Sequence, residues 1–231
     1  MPKAMPDHIR GDWSERFIEP EILEKAPQKQ MQRNLQEIAK VNRLFGGYRI
    51  LRTLLGEYVT PENRFTVLDV GAANGEMGAA IRQSFPLAVV YSLDRAVRHL
   101  AEAADPRLAA DAFRMPLRPG SFDFVFCSLF LHHFEDSKVV ELLAEFRRLA
   151  RRAVLAIDLE RNRIAHRFLP ATQWLFGWDF IMLNDGPISV RASFRRKELL
   201  ALALRAGLRE ARVRRHDPWF RVSLSAPVEN P

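Results

Sequence analysis

A single cysteine, Cys127, among 231 residues excludes an intrachain disulfide, and with it the stapled scaffolds of small secreted domains. Long apolar runs are also missing. The longest, around Phe124–Leu131 and Trp174–Leu183, are interrupted by Ser128 and by Gly177 and Asp179. Both fall short of the roughly 18 apolar residues that a membrane span requires. The opening MPKAMPDHIRGDW lacks the apolar stretch of a secretory signal, so a cytoplasmic location is expected. There is no internal repeat and no low-complexity tract. What is present, 48% hydrophobic and 27% charged residues, is the balance of an ordinary globular chain. The length suits one large domain, or a domain with a cap.

The formal charge of +7 is unevenly spread: Arg147–Arg221 holds 17 basic against 7 acidic residues. Such asymmetry can mark an acidic partner. Arg, however, outnumbers Lys 29 to 6 over the whole chain, which fits a compositional bias better than a nucleic-acid footprint. No specific nucleic-acid partner is expected.

Residues 1–20, with Pro2, Pro6 and Pro20, read as a flexible arm. Residues 21–62 read as a helical cap. Met31, Leu35, Ile38, Val41, Leu44 and Phe45 recur at helical spacing, Gly46-Gly47 interrupts them, and a second helix runs on to Tyr58. From residue 63 to 231 short strands alternate with helices. Strands are expected at Phe65–Val70, Ala88–Leu93, Leu108–Ala110, Phe122–Ser128 and Ala153–Leu159. Helices are expected at Gly75–Phe85, Ala96–Ala104, Ser137–Leu149 and Arg195–Ala206. Two closing strands, near Glu210–His216 and Phe220–Ser225, are close enough to form an antiparallel hairpin. This is the α/β pattern of a doubly wound, Rossmann-like seven-stranded sheet. Residues 160–192 break the alternation and read as an insertion over the active-site end.

The most informative segment is FTVLDVGAANGEMGAA, Phe65–Ala80: a strand ending at Asp69, a turn of small residues, then a helix. Small residues let backbone approach a ligand, and the following helix N-terminus favours negative groups. Asp94 closes the second strand 23 residues past Gly71, where a carboxylate can accept from both ribose hydroxyls. A nicotinamide dehydrogenase turn reads GxGxxG, whereas GAANGEMG carries Ala73 and Glu76 at the second and third glycine positions.

VLDVGAANG, the Asp closing strand two, DAFRMPLRPGSFDFVF, and LHHF after strand four together resemble the class I methyltransferases that use S-adenosylmethionine, over about Phe65–Leu159. The resemblance implies that Asp69 and the loop Gly71, Ala72, Ala73, Asn74, Gly75 line the methionine part of the cofactor. Asp94 would bind the ribose, Asp111 and Ala112 would meet the adenine, and Arg95 or the strand-three loop would pack against it. Ser128 and Leu129 would lie beside the sulfonium. Ala73 stands where the family usually has Gly, so the turn is expected to avoid a positive φ there. In size and pattern the chain is similar to small bacterial enzymes of natural-product and quinone biosynthesis.

His132 and His133 follow strand four, where the methyl should emerge, and imidazole is the side chain suited to accept a proton near neutral pH. His166 in the insertion is a weaker candidate. Asp158 ends strand five, but strand four ends in Cys127-Ser128 without a carboxylate, so no metal is expected. Cys127 itself reads as a small core residue. Asn42, Arg43 and Phe45 on the cap, with Phe168, Trp174, Phe176, Trp178, Phe180 and Met182 of the insertion, are expected to form the acceptor pocket. Such a lining suits a small, largely apolar substrate, here a phenol or quinol undergoing O-methylation. Two alternatives stay open: a nucleic-acid methyltransferase, although SLFLHH replaces the Asn/Asp-Pro-Pro-aromatic motif of enzymes acting on exocyclic base nitrogens, and a cofactor-binding partner subunit without catalysis.

Overall fold

The computed structural model describes residues 12–228. A seven-stranded sheet runs through it in the order β3-β2-β1-β4-β5-β7-β6. The strands are β1 Phe65–Val70, β2 Ala88–Asp94, β3 Arg107–Ala109, β4 Phe122–Ser128, β5 Ala150–Leu159, β6 Arg212–His216 and β7 Arg221–Pro227. β1 to β5 are mutually parallel, while β7 runs antiparallel to both β5 and β6. The expected doubly wound sheet with a closing hairpin is thus present.

Strand alternation sends successive side chains to opposite faces. On one face, Phe124, Phe126, Val67 and Leu155 pack against α2 (Gly47–Gly56) and α3 (Glu76–Ser84) through Ile50, Leu54, Met77 and Ile81. On the other, Val125, Cys127, Leu68 and Val154 pack against α4 (Asp136–Leu149) and α7 (Arg196–Arg205) through Leu142, Phe146, Leu199 and Leu202. Cys127 is the buried core residue expected. α4 shows how local sequence fits its place: Val139, Leu142, Leu143, Phe146 and Leu149 form one buried stripe. Asp136 in its first turn and Arg147 and Arg148 in its last complement the helix dipole.

From β1 the chain steps outward to β2 and β3, then returns to β4 on the other side of β1. A crevice opens at the carboxyl ends of strands where order reverses in this way. α1 (Gln28–Leu44) and the insertion close over it. The insertion consists of α5 (Arg163–Phe176), capped by the Asn162 side chain, and α6 (Phe180–Ala192), capped by the Asp179 side chain.

Two expectations are corrected. Ala96–Ala104 forms only a single 3-10 turn, His99–Glu102, in place of a helix. The Asp94 carboxylate accepts from the Ala96 amide (2.8 Å), holding the chain in a turn, and Pro106 disfavours helix at the residue before it. The expected flexible arm lies outside the described residues for 1–11. Residues 12–20 have neither helix nor strand, yet they are docked. Arg16 donates to the carbonyls of Ala192 (2.6 Å) and Phe134 (2.8 Å) and pairs with Asp136 (2.6 Å). Among the described residues no helix is long and apolar enough to cross a membrane.

Candidate active site

A cavity of about 440 Å³, within the usual range for small-ligand sites, opens at the ends of β1, β2, β4 and β5. Asp69, Gly71, Ala72, Ala73 and Asn74 line it from the first strand and its turn. Asp94 lines it from β2, and Ser128, Leu129, His132 and His133 from the segment after β4. Gly75, Arg95, Asp111 and Ala112 stand outside this lining. Arg95 and Asp111 are solvent-exposed, and the Asp111 carboxylate accepts from the Phe113 amide (3.0 Å).

The turn after β1 is held by backbone geometry and one carboxylate. Gly71 and Gly75 both have positive φ, +71° and +76°. A Cβ on Gly75 would lie 2.7 Å from the Ala103 Cβ and 2.9 Å from its Cα, so no other residue fits without displacing backbone. Between them Ala73 also adopts a positive φ, +48°, against the expectation that it would not. The reason is tertiary. Its amide donates to Asp94 Oδ2 (3.2 Å), and the amides of Gly71 and Ala72 both donate to the Leu93 carbonyl (2.8 and 2.9 Å). These bonds offset the cost of a left-handed alanine.

Asp69 is fully buried, and its Oδ2 has no hydrogen-bond partner. Burial, reinforced by the nearby Glu76 carboxylate, pushes its carboxyl up to about 8. Glu76, bonded to Asn42 (2.5 Å), also has an unpartnered buried oxygen. Buried acids of this kind call for a cationic or multiply donating ligand. S-adenosylmethionine offers an ammonium, a sulfonium and ribose hydroxyls, so the donor set fits.

At the other end, His132 Nδ1 lies 2.6 Å from Asp158 Oδ1, and the His132 amide donates to Asp158 Oδ2 (3.2 Å). On the opposite side, His132 Nε2 is 3.8 Å from Glu21 Oε1, and His133 Nδ1 is 3.9 Å from the same oxygen. Burial alone would lower the proton affinity of His132. Asp158 and Glu21 outweigh it and raise the pKa to about 10. At neutral pH these carboxylates favour the imidazolium form of His132. Glu21 is held down at about 2 because its imidazole neighbours outweigh burial. Asp158 is likewise lowered by His132 against burial.

Glu21 is the residue that sequence reasoning missed. Its segment is pinned to α6 by Asp185, whose two carboxylate oxygens accept from the Ile22 and Leu23 amides (3.0 and 2.9 Å), and Ser189 donates to its side chain. Glu21, His132 and His133 present ligand atoms within 4.8 Å of one another. The expectation of no metal weighed only the ends of strands four and five. These three donors could hold a cation only with His132 as the neutral imidazole.

The acceptor side is more aliphatic than expected. Phe168 and Met182 line the cavity with Asn42, Phe45, Leu35, Ile38 and Leu169. Trp174 and Phe180 are instead 84% and 72% exposed, and Arg43 is exposed as well. Trp178 is buried away from the cavity, stacked on Phe176 with its Nε1 donating to Thr172 (3.0 Å). His166 also stands outside the lining, edge-on to Trp13. Helix phase explains the sorting: only one face of each insertion helix meets the cavity.

Residues 68–157 match the family described as "Methyltransferase domain". Over that segment, which is less than half of its length, the chain resembles a methyltransferase domain. Over 119 residues the chain is 33% identical to the trans-aconitate 2-methyltransferase of Deinococcus radiodurans. That match covers 48% of the chain and 45% of the relative, so less than half of either protein is spanned. Among solved structures, the fold resembles a plantazolicin methyltransferase in complex with a triazolic desmethyl analogue and S-adenosylhomocysteine. The TM-score is 0.67 at 12% identity, covering 90% of this chain and 93% of that one. It also resembles a SAM-dependent methyltransferase from Aquifex aeolicus, with TM-score 0.57 and 18% identity over 82% and 97% of the two chains. At these identities the likeness is one of fold.

Proposed function

We propose that this chain transfers a methyl group from S-adenosylmethionine to a small, largely apolar acceptor, by O-methylation of a phenolic or quinol-type hydroxyl. The observation that carries this reading is one cavity lined both by acids, among them Asp69 and Asp94, and by apolar side chains, among them Phe45, Phe168 and Met182, with His132 and His133 in the same lining. The cofactor supplies an already electrophilic methyl group. The protein's task is to align the acceptor oxygen with it and to manage one proton.

In this reading Asp94 holds the ribose, and Asp69 with the Gly71–Gly75 loop holds the methionine portion. His132, a cation, donates a hydrogen bond to the acceptor oxygen as negative charge gathers there. His133, which borders the same cavity, takes the proton. A phenol, with a pKa near 10 like tyrosine, is acidic enough for such assistance, whereas an aliphatic alcohol is not. The setting we propose is a reducing, cytoplasmic one in natural-product or quinone-type biosynthesis. Binding to nucleic acid, if measured, should be weak and should collapse between low and physiological salt.

The test is incubation with labelled cofactor and a panel of phenols, quinols, amines, RNA and trans-aconitate, the last because the curated relative carries that name. Label in phenols or quinols supports the reading, and label confined to amines or RNA refutes it. With a methylated phenol in hand, His133→Ala should lower turnover by roughly 10²–10⁴. Turnover restored only by an added partner protein would instead favour a subunit without catalysis of its own.

A further inference from the structure

Arg221 opens β7 beside Leu159, at the cavity end of β5. Its side chain is withdrawn from solvent, yet the residue lines the cavity. Nε donates to the Phe45 carbonyl (3.1 Å), while Nη1 and Nη2 are buried without a hydrogen-bond partner. Glu76 and Asp158 attract the guanidinium from a distance. Burial lowers its pKa to about 10, which still leaves it charged at neutral pH.

A guanidinium removed from water is costly unless paired, and buried polar groups almost always find partners. With Nε occupied, the two free nitrogens form the end of the fork, whose geometry matches the two oxygens of a carboxylate. The rest of the polar lining narrows the choice. Glu76 and Asp94 border the same cavity and would repel a dianion such as phosphate. A monoanionic carboxylate, particularly one with an ammonium nearby, complements both signs of charge.

We propose that Arg221 is the carboxylate-binding residue of this cavity. Two sources share that chemistry: the α-carboxylate of the cofactor's methionine portion, and an acid group on the acceptor. The first rests on the cofactor reading above. It would place the α-ammonium toward Asp69 and Glu76 and the α-carboxylate on Arg221, a zwitterion held by opposite charges.

The experiment is calorimetry on the full chain and on Arg221→Met and Arg221→Lys, with retained circular dichroism and melting temperature as the folding check. Binding of S-adenosylhomocysteine to the wild-type protein tests the cofactor reading by itself, and the variants test Arg221. If the partner is the cofactor, Arg221→Met weakens S-adenosylhomocysteine by at least about 10-fold and leaves its decarboxylated analogue unchanged. Arg221→Lys, which keeps the charge and loses the fork, falls between. If the partner is the acceptor, S-adenosylhomocysteine binding is unchanged. The preference of the S-adenosylhomocysteine complex for 4-hydroxybenzoate over 4-hydroxybenzamide then disappears in Arg221→Met. Equal affinity of wild type and both variants for S-adenosylhomocysteine and for the hydroxybenzoate overturns the assignment.

Discussion

Nδ1 of His132 lies 2.6 Å from Oδ1 of Asp158, and both side chains are almost completely buried. The pair ties the turn after β4 to the end of β5, so it fixes one wall of the cavity. Removing one member strands the other charge in the interior. Asp158→Ala should cost about 3–5 kcal/mol in urea unfolding. The pH dependence follows from both partners. The folded pKa of His132, about 10, lies above its ordinary value. Its contribution is complete below about 6.5 and is lost as pH rises through 10. Asp158 is held below its ordinary range, so its contribution is lost as pH falls into the acid region. The contribution of this pair should therefore be greatest in the mildly acidic range and fall on both sides. In Asp158→Asn, which lowers the folded pKa of His132, the alkaline fall should be smaller and should end at lower pH. An unchanged alkaline limb would contradict the pairing.

Asp69 works in the opposite sense. Its carboxyl, raised to about 8, is mostly protonated at pH 7 in the free protein. A cationic ligand beside it favours the carboxylate, so S-adenosylhomocysteine binding should release up to about one proton at pH 7. Calorimetry in buffers of different ionisation enthalpy measures that number directly. Because a raised acid loses stability as pH climbs through its folded value, Asp69→Asn should melt higher than wild type near pH 9 while binding the ligand less well.

The two oxygens of Asp94 have separate neighbours: Oδ2 accepts from the Ala73 amide, and Oδ1 accepts from the Ala96 amide and lies 3.2 Å from His99 Nδ1. Asp94→Ala should weaken S-adenosylhomocysteine by roughly 1.5–3 kcal/mol, the scale of hydrogen bonds to a charged group. Unchanged affinity would remove the ribose assignment.

Gly75→Ala places a methyl into Ala103 at a positive φ. It should destabilise by about 1–3 kcal/mol through overpacking and should also weaken cofactor binding, because the displaced backbone belongs to the turn. Differential scanning fluorimetry with and without S-adenosylhomocysteine reads both effects. A melting temperature equal to wild type would show that Ala103 gives way freely.

Much of this molecule was readable because the governing forces are local. Strand and helix periods follow from which side chains must be buried, so FTVLDV, FDFVFCS and the stripe on α4 announced their elements. The spacing of Asp69, the small-residue turn and Asp94 likewise follows from one βαβ unit, and these residues do meet in space. The misjudged segment, Ala96–Ala104, fails because a local bond from the Ala96 amide to the Asp94 side chain two residues back holds a turn where a short stretch has little helix propensity to oppose it.

Position along the chain thus determined the sheet, the hairpin and the turn that borders the cavity. It said nothing of which charges would share a buried space. Glu21 reaches His132 only because Asp185 anchors its segment to α6. Arg221 reaches the cavity only because β7 folds back beside β5. Ala73 takes a left-handed conformation only because Asp94 and Leu93 hold its turn. Each of these depends on desolvation and long-range pairing, whose strength is set by the surrounding burial. Composition and spacing decided which groups were available, and tertiary packing decided which of them became neighbours and in what charge state.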